Sequence, residues 1–223
     1  MPRVGRKAPG GLIYHVLNRG NGRQRLFHKP ADYQAFIDLL GRVRAAVPVR
    51  VLGLCLMPNH WHLVLWPARD GELSQFMLRL TTAHVRRHFA HRQNAAGGHL
   101  YQGRFKSFPV QDDAHLLVLF RYVEANAVRA GLVDDARDWR WGSFALRRTA
   151  TGAKLLHDWP IERPRAWARL VNEPLPQGEA QAVQTSLRRG RPLGDAAWTA
   201  RTAARLGLQF TLNPRGRPRK RRK

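Results

Sequence analysis

Met57-Pro58-Asn59-His60-Trp61-His62-Leu63-Val64-Leu65 sets two histidines around one large hydrophobe and follows them with an apolar run. Successive side chains of a strand point to opposite faces, so His60 and His62 share a face and Trp61 enters a core on the other. Upstream, Val49 to Leu56 is β-rich, and Met57-Pro58-Asn59 is turn material, so the two segments form a hairpin that Pro67 ends. Two neutral imidazoles held side by side supply two ligands for a divalent metal. The same pattern also fits two histidines on a half-exposed strand, and His-x-His alone does not separate these readings.

Working outward, Leu12 to Arg19 alternates and reads as a first strand. Pro30-Ala31-Asp32 opens a helix to about Ala46, with Phe36, Leu39, Leu40 and Val43 on its apolar face. A long helix follows from Glu72 to about Gln93, burying Phe76, Leu80, Ala83 and Phe89, until Gly97-Gly98 breaks the chain. Phe105 to Val110 is a further strand. Asp112-Asp113 caps a helix running to about Asn126. This order of elements predicts an α+β fold, an antiparallel β-sheet sandwiched by α-helices. Beyond Gly131 the periodicity weakens. Asp138 to about Pro174, with Trp139, Trp141, Trp159 and Trp167, reads as an irregular wrap, and Glu179 to Leu208 holds two short helices. The expected division is a main domain over 1–148, a C-terminal extension docked on it over 149–212, and a basic tail over 213–223.

The hydrophobic fraction of 43% supports a real core, while the formal net charge of +24 calls for a polyanion. Nucleic acid answers that demand through counterion release. A membrane surface would need a basic amphipathic helix or a lipid anchor, and neither is evident. No run reaches membrane-spanning length, and the N-terminus lacks the apolar stretch of a signal peptide. Cys55 is the lone cysteine, which excludes an internal disulfide and a cysteine-based zinc site. These features fit a cytoplasmic protein.

On the helix after Asp112, Tyr122 and Asn126 are four residues apart and project together, with His115 and Arg129 continuing the stripe. Leu116, Leu117, Phe120 and Val123 form the opposite, core-facing stripe. Tyr122 could simply border the core. With the histidine strand nearby, Asn126 would instead complete a site of two imidazoles and one amide oxygen, a set suited to magnesium or manganese.

At this point the chain resembles the HUH-type single-tyrosine (Y1) transposases of the IS200-like kind, and within them the REP-associated tyrosine transposases. Four blocks carry the likeness, in order and at similar spacing: Tyr14-His15-Val16-Leu17-Asn18-Arg19-Gly20-Asn21; Met57 to His62; Tyr101-Gln102-Gly103-Arg104-Phe105-Lys106-Ser107; and Tyr122-Val123-Glu124-Ala125-Asn126-Ala127-Val128-Arg129-Ala130-Gly131-Leu132-Val133. They span residues 12 to about 145. Ala127 departs from the family, where proline is common. Arg189 to Gly194 is similar to the C-terminal region of the REP-associated group. The resemblance implies the ferredoxin-like HUH fold and cleavage and joining of single-stranded DNA, especially REP-like hairpins. It implies His60 and His62 as metal ligands and catalytic residues, Asn126 as third ligand, Mg2+ or Mn2+ as cofactor, and Tyr122 as the nucleophile that forms a 5′-phosphotyrosine. Either a monomer or a homodimer fits, in a bacterial cytoplasm and associated with the nucleoid.

Basic residues supply the DNA-binding expectation. Arg19, Arg23 and Arg25 follow the first strand, Arg86 and Arg87 lie on the long helix, Arg104 and Lys106 flank Phe105, and Arg129 follows Asn126. Tyr101 could stack on a base. His84, His88 and His91 fit either a second metal site or a solvated basic face. Arg215, Arg217 and Arg219 lie in a segment similar to an AT-hook, which would bind A·T-rich duplex; a non-specific basic tail fits as well. Three other readings compete: a DNA- or RNA-binding protein without catalysis, a relaxase or replication initiator with the same chemistry, and a generic metal hydrolase.

Overall fold

A computed structural model describes residues 7–91 and 98–213. Four strands, β1 (Ile13–Arg19), β2 (Arg50–Met57), β3 (His60–Trp66) and β4 (Lys106–Val110), form one sheet in the order β2-β3-β1-β4, every neighbouring pair antiparallel. Helices α1 (Pro30–Ala46) and α2 (Glu72–Ala90) make the crossovers and pack against each other. The result is two interlocked split βαβ units, the ferredoxin-like arrangement. The β2–β3 hairpin turns through Pro58 and Asn59, as the sequence predicts.

Strand alternation divides the core. Trp61, Leu63 and Leu65 of β3 join Phe36, Leu40, Phe76 and Leu80 under α1 and α2. Val64, with Phe108 and Val110 of β4, faces α3 (Ala114–Glu124), which brings Leu116, Leu119, Phe120 and Val123. Trp61 is fully buried, which anchors β3 and leaves its histidines on the α3 side. Asp113 caps α3, its side chain accepting from the His115 backbone N–H. The helix predicted to reach Asn126 stops at Glu124; Ala125 leaves helical geometry and α4 (Asn126–Arg129) begins a new turn.

Beyond residue 131 the chain is more regular than the expected wrap. Short helices α5 (Ser143–Leu146), α6 (Ala150–Leu155) and α7 (Trp167–Asn172) precede α8 (Gln177–Arg189) and α9 (Ala196–Leu206). Their contacts are specific. Trp159 stacks flat on Phe120 of α3, centroids 3.8 Å apart at 4°. A bulge in β2 at Leu52 turns its carbonyl outward, where Trp159 Nε1 (3.0 Å) and Arg147 (2.6 Å) donate to it. Glu124 is buried and accepts from Ser143 Oγ (2.6 Å) and Trp167 Nε1 (2.8 Å); burial still holds its carboxyl above the usual range.

Tyr101 corrects an expectation. It does not offer its ring to a base; it is buried, accepting from Trp61 Nε1 (3.0 Å) and donating to His84 Nδ1 (2.5 Å). Indole only donates, so the Tyr101 oxygen accepts from Trp61 and its hydroxyl proton is free to be given to a bare His84 Nδ1. Burial pushes His84 down to about 3. The unfolded chain therefore takes up this proton first: its contribution to stability is complete above about pH 6.5 and is lost as pH falls from there toward 3. His84→Gln keeps an acceptor for Tyr101 but does not titrate. Between about pH 7 and pH 5 it should lose ~1–2 kcal/mol less stability than the parent in urea unfolding. Identical pH slopes would remove His84 from the acid response.

Candidate active site

His60 and His62 project from β3 toward α3. Across the sheet His62 faces Leu17 and Cys55, and His60 faces Arg19 and Met57. The imidazole rings are 5.1 Å apart at 81°. Tyr122, half-buried on α3, lies over them with its ring 6.2 Å from His62. Asn126 follows despite the helix break, because its Nδ2 donates to the Tyr122 carbonyl (3.3 Å). Arg129 rests on the Tyr122 ring, 4.1 Å from its centroid. His60, His62, Tyr122, Asn126 and Arg129 all line one cavity of about 690 Å³.

The loop before β4 completes the rim. Gln102 N–H donates to the Arg19 carbonyl (2.9 Å), and Asn18 Nδ2 donates to the Gly103 carbonyl (3.3 Å). These bonds place Gln102, Gly103 and Arg104 at the cavity mouth, with Lys106 beside them. Arg19 enters from the opposite strand, and its Nε is buried without a hydrogen-bond partner. Such a donor is costly unless something accepts from it.

Both histidines are neutral at ordinary pH. Burial first, then Arg19 and Arg129, holds His60 down to about 4. His62 is pushed well below its usual value by burial first, then by His15, His60, Arg129 and Arg19. Neutral imidazoles are what metal ligation requires. Among the described residues, no three His, Cys, Asp or Glu side chains gather to hold a cation. A third protein ligand here would come from a neutral oxygen, and Asn126 Oδ1 is one that lines the cavity. The donor chemistry fits: the Asn126 amide nitrogen is engaged by the backbone, leaving Oδ1, and Asn59 Oδ1 at 2.6 Å accepts from His60 Nδ1, leaving its other nitrogen bare.

The remaining basic candidates scatter. Arg86 lines an adjoining groove of about 1010 Å³ that shares Asn18, Gln102, Gly103 and Arg104 with the cavity. Arg87 lies in a separate hollow with His84, His88 and His91. His84 is buried on Tyr101 while His91 is exposed, so the three do not share one solvated face, and among the described residues no three metal-ligating side chains gather. Arg23 and Arg25 are exposed and line neither cavity. Arg215, Arg217 and Arg219 lie outside the described residues. Sequence reasoning missed His15, bonded to His62, and the extension's Leu187 and Arg188, which reach the cavity from α8. The odd spacing of His15, Leu17 and Arg19 on one strand is the signal that could have placed His15 on the histidine face.

Were single-stranded DNA to pass this rim, changing Arg104 and Lys106 jointly to alanine would weaken its binding and lower the slope of log K against log salt by about 1 to 1.5, as expected for two lost phosphate contacts. An unchanged slope would take both residues off the DNA path.

The family model for IS200-like transposases matches residues 10–126, and the chain belongs to that family. A Haemophilus influenzae protein provisionally described as a REP-associated tyrosine transposase is 29% identical over 105 residues. That match spans 44% of this chain and 60% of the relative's length. Among solved structures, a REP-associated tyrosine transposase bound to a REP hairpin aligns with TM-score 0.49 at 19% identity, covering 79% of this chain and all of that one. A Deinococcus radiodurans crystal structure, provisionally described as a transposase, aligns with TM-score 0.39 at 20% identity, covering 56% and 93% of the two chains. Among the described residues no helix is long and apolar enough to cross a membrane.

Proposed function

We propose that this protein is a metal-dependent single-stranded DNA endonuclease and strand transferase of the REP-associated group, acting on hairpin-forming repeat DNA. The observation that carries the reading is the meeting of Tyr122, His60, His62 and Asn126 in one cavity rimmed by Arg19, Arg104, Lys106 and Arg129. A phosphodiester brings negative oxygens, and the orphaned Arg19 Nε offers them a donor. The Haemophilus relative supports the narrower grouping.

Tyr122 Oη attacks the scissile phosphorus in line. The new bond joins the phenolic oxygen to phosphorus and the bond to the 3′ oxygen breaks; the phenolic proton passes to solvent or to a base, and the 3′ oxygen takes one up from solvent to depart as a 3′-hydroxyl. The 5′-phosphotyrosine keeps the phosphoester, so a 3′-hydroxyl can reverse the step or join a new end without ATP. Arg129 fixes the Tyr122 ring and adds positive charge beside the reacting oxygens. His60, His62 and Asn126 would hold Mg2+ or Mn2+, which when bound supplies electrostatic stabilisation of charge on the phosphate oxygens. The basic tail would tether A·T-rich duplex.

The deciding experiment incubates the protein with structured single-stranded oligonucleotides plus Mg2+ or Mn2+ and seeks a protein–DNA adduct that survives denaturation. Tight hairpin binding with no adduct under any condition would favour a binding protein without catalysis.

A further inference from the structure

His15 stands on β1 behind His62, and the chemistry above makes no use of it. His15 has 0% exposure and His62 3%. His15 Nε2 lies 2.8 Å from His62 Nδ1. The rings stack at 26° with centroids 5.0 Å apart, and Phe108 packs against His15 at 5.0 Å. The other ring nitrogen, His15 Nδ1, is buried without a hydrogen-bond partner.

A neutral imidazole carries one N–H and one bare nitrogen. The pair therefore has two arrangements. In the first, His15 Nε2–H donates to His62 Nδ1. His62 then bears its proton on Nε2, and His15 Nδ1 is a bare nitrogen. In the second, His62 Nδ1–H donates to His15 Nε2. His62 Nε2 is then bare, and His15 Nδ1 becomes a buried N–H with no acceptor. The buried unpaired N–H is the costlier orphan, so the first arrangement is the resting one. Only the second leaves His62 Nε2 able to ligate.

We propose that His15 is a positioning residue that sets the tautomer of His62 and withholds it as a ligand at rest. This rests on the metal reading of the site. His60 differs, because the Asn59 oxygen at 2.6 Å accepts from its Nδ1 and leaves Nε2 bare from the start. The site then has one preset imidazole and one switched imidazole. Protons balance between the arrangements. The one on His15 Nε2 crosses the hydrogen bond to His62 Nδ1, the one on His62 Nε2 leaves to solvent, and one from solvent reaches His15 Nδ1.

The test uses the full chain with nitrogen-15-labelled histidine, whose shifts report which ring nitrogen is protonated. Without metal, His62 should carry its proton on Nε2; saturating Mg2+ should move it to Nδ1. A His62 already protonated on Nδ1 in metal-free protein overturns the proposal. Two variants add a binding readout with Mn2+ by calorimetry. His15→Gln offers an oxygen to His62 Nδ1–H and should bind as tightly as the parent or up to about tenfold tighter. His15→Phe, its fold checked by circular dichroism, leaves the ligating tautomer with one unpaired N–H just as the parent has, so it should bind within about threefold of the parent. Weaker binding by folded His15→Gln than by folded His15→Phe overturns the proposal. A purely structural role would lower the melting temperature of both variants and leave the His62 shifts in place. If the parent binds neither metal, the metal reading and the withholding role fall together, while the metal-free shifts still decide whether His15 sets the His62 tautomer.

Discussion

On the proposed reading, Tyr122→Phe should abolish the covalent protein–DNA adduct, lowering its rate of formation by about 10⁴-fold or more, because among the described residues no other tyrosine hydroxyl reaches the cavity. Tyr14 and Tyr101 are buried, and Tyr33 is enclosed among Phe27, Trp139 and Trp141. Only Tyr122 lines the cavity that holds His60, His62 and Asn126. Hairpin affinity should stay within about threefold, since at most one hydroxyl contact is lost and the ring still supports Arg129. Gel mobility after denaturation reads the adduct, and equilibrium titration reads the affinity. Adduct at the parental rate would remove Tyr122 from the chemistry. Arg129→Ala separates ring placement from nucleophilicity: it should slow adduct formation by about 10²-fold while still forming it.

Local pattern accounts for what was legible in the chain. Alternation at His60-Trp61-His62, turn residues at Pro58-Asn59, and the helical spacing of Phe36, Leu40 and Val43 each depend on neighbours a few residues away, so strands, hairpin and helices fall where expected. Tyr122 and Asn126 share the cavity even though the helix between them breaks at Ala125. Contacts made across the fold were not legible. Nothing near Tyr101 announces that Trp61 and His84 will enclose its hydroxyl. Nothing near His15 announces His62, which is brought beside it by the β1–β3 register. Charge carries no direction either: Arg19 and Arg104 turn into the cavity, whereas Arg23, Arg25 and Arg87 turn elsewhere. The extension was the least legible part, because its work is done against α3 and β2 and not within its own segments.

Trp159→Ala should destabilise the chain by about 2–3 kcal/mol, less than the ~3–5 kcal/mol for a fully buried aromatic because the ring is only half-buried. The ring lies flat on Phe120 and edge-on to Trp167, and its Nε1 supplies one of two donors to the outward Leu52 carbonyl. Trp159→Phe keeps most of the stacking and loses that donor, so it should cost about 1–2 kcal/mol. Urea unfolding gives both numbers. Ending the chain at residue 148 removes more: Trp159 from Phe120, Trp167 from Glu124, the Leu170 carbonyl that accepts from Arg121, and Leu193, which bonds the β4 edge through Pro109 and Gln111. Glu124 would keep Ser143 but lose its second donor. All of these losses fall on α3 or beside it, and α3 carries Tyr122. The truncated chain should therefore fail to hold Tyr122 over the histidines, forming no adduct even with short hairpins at saturating protein. A soluble, cooperatively unfolding 1–148 fragment with parental adduct yield would mean that the tyrosine helix is positioned by the sheet alone, and that the extension serves only DNA binding through Arg188 and the tail.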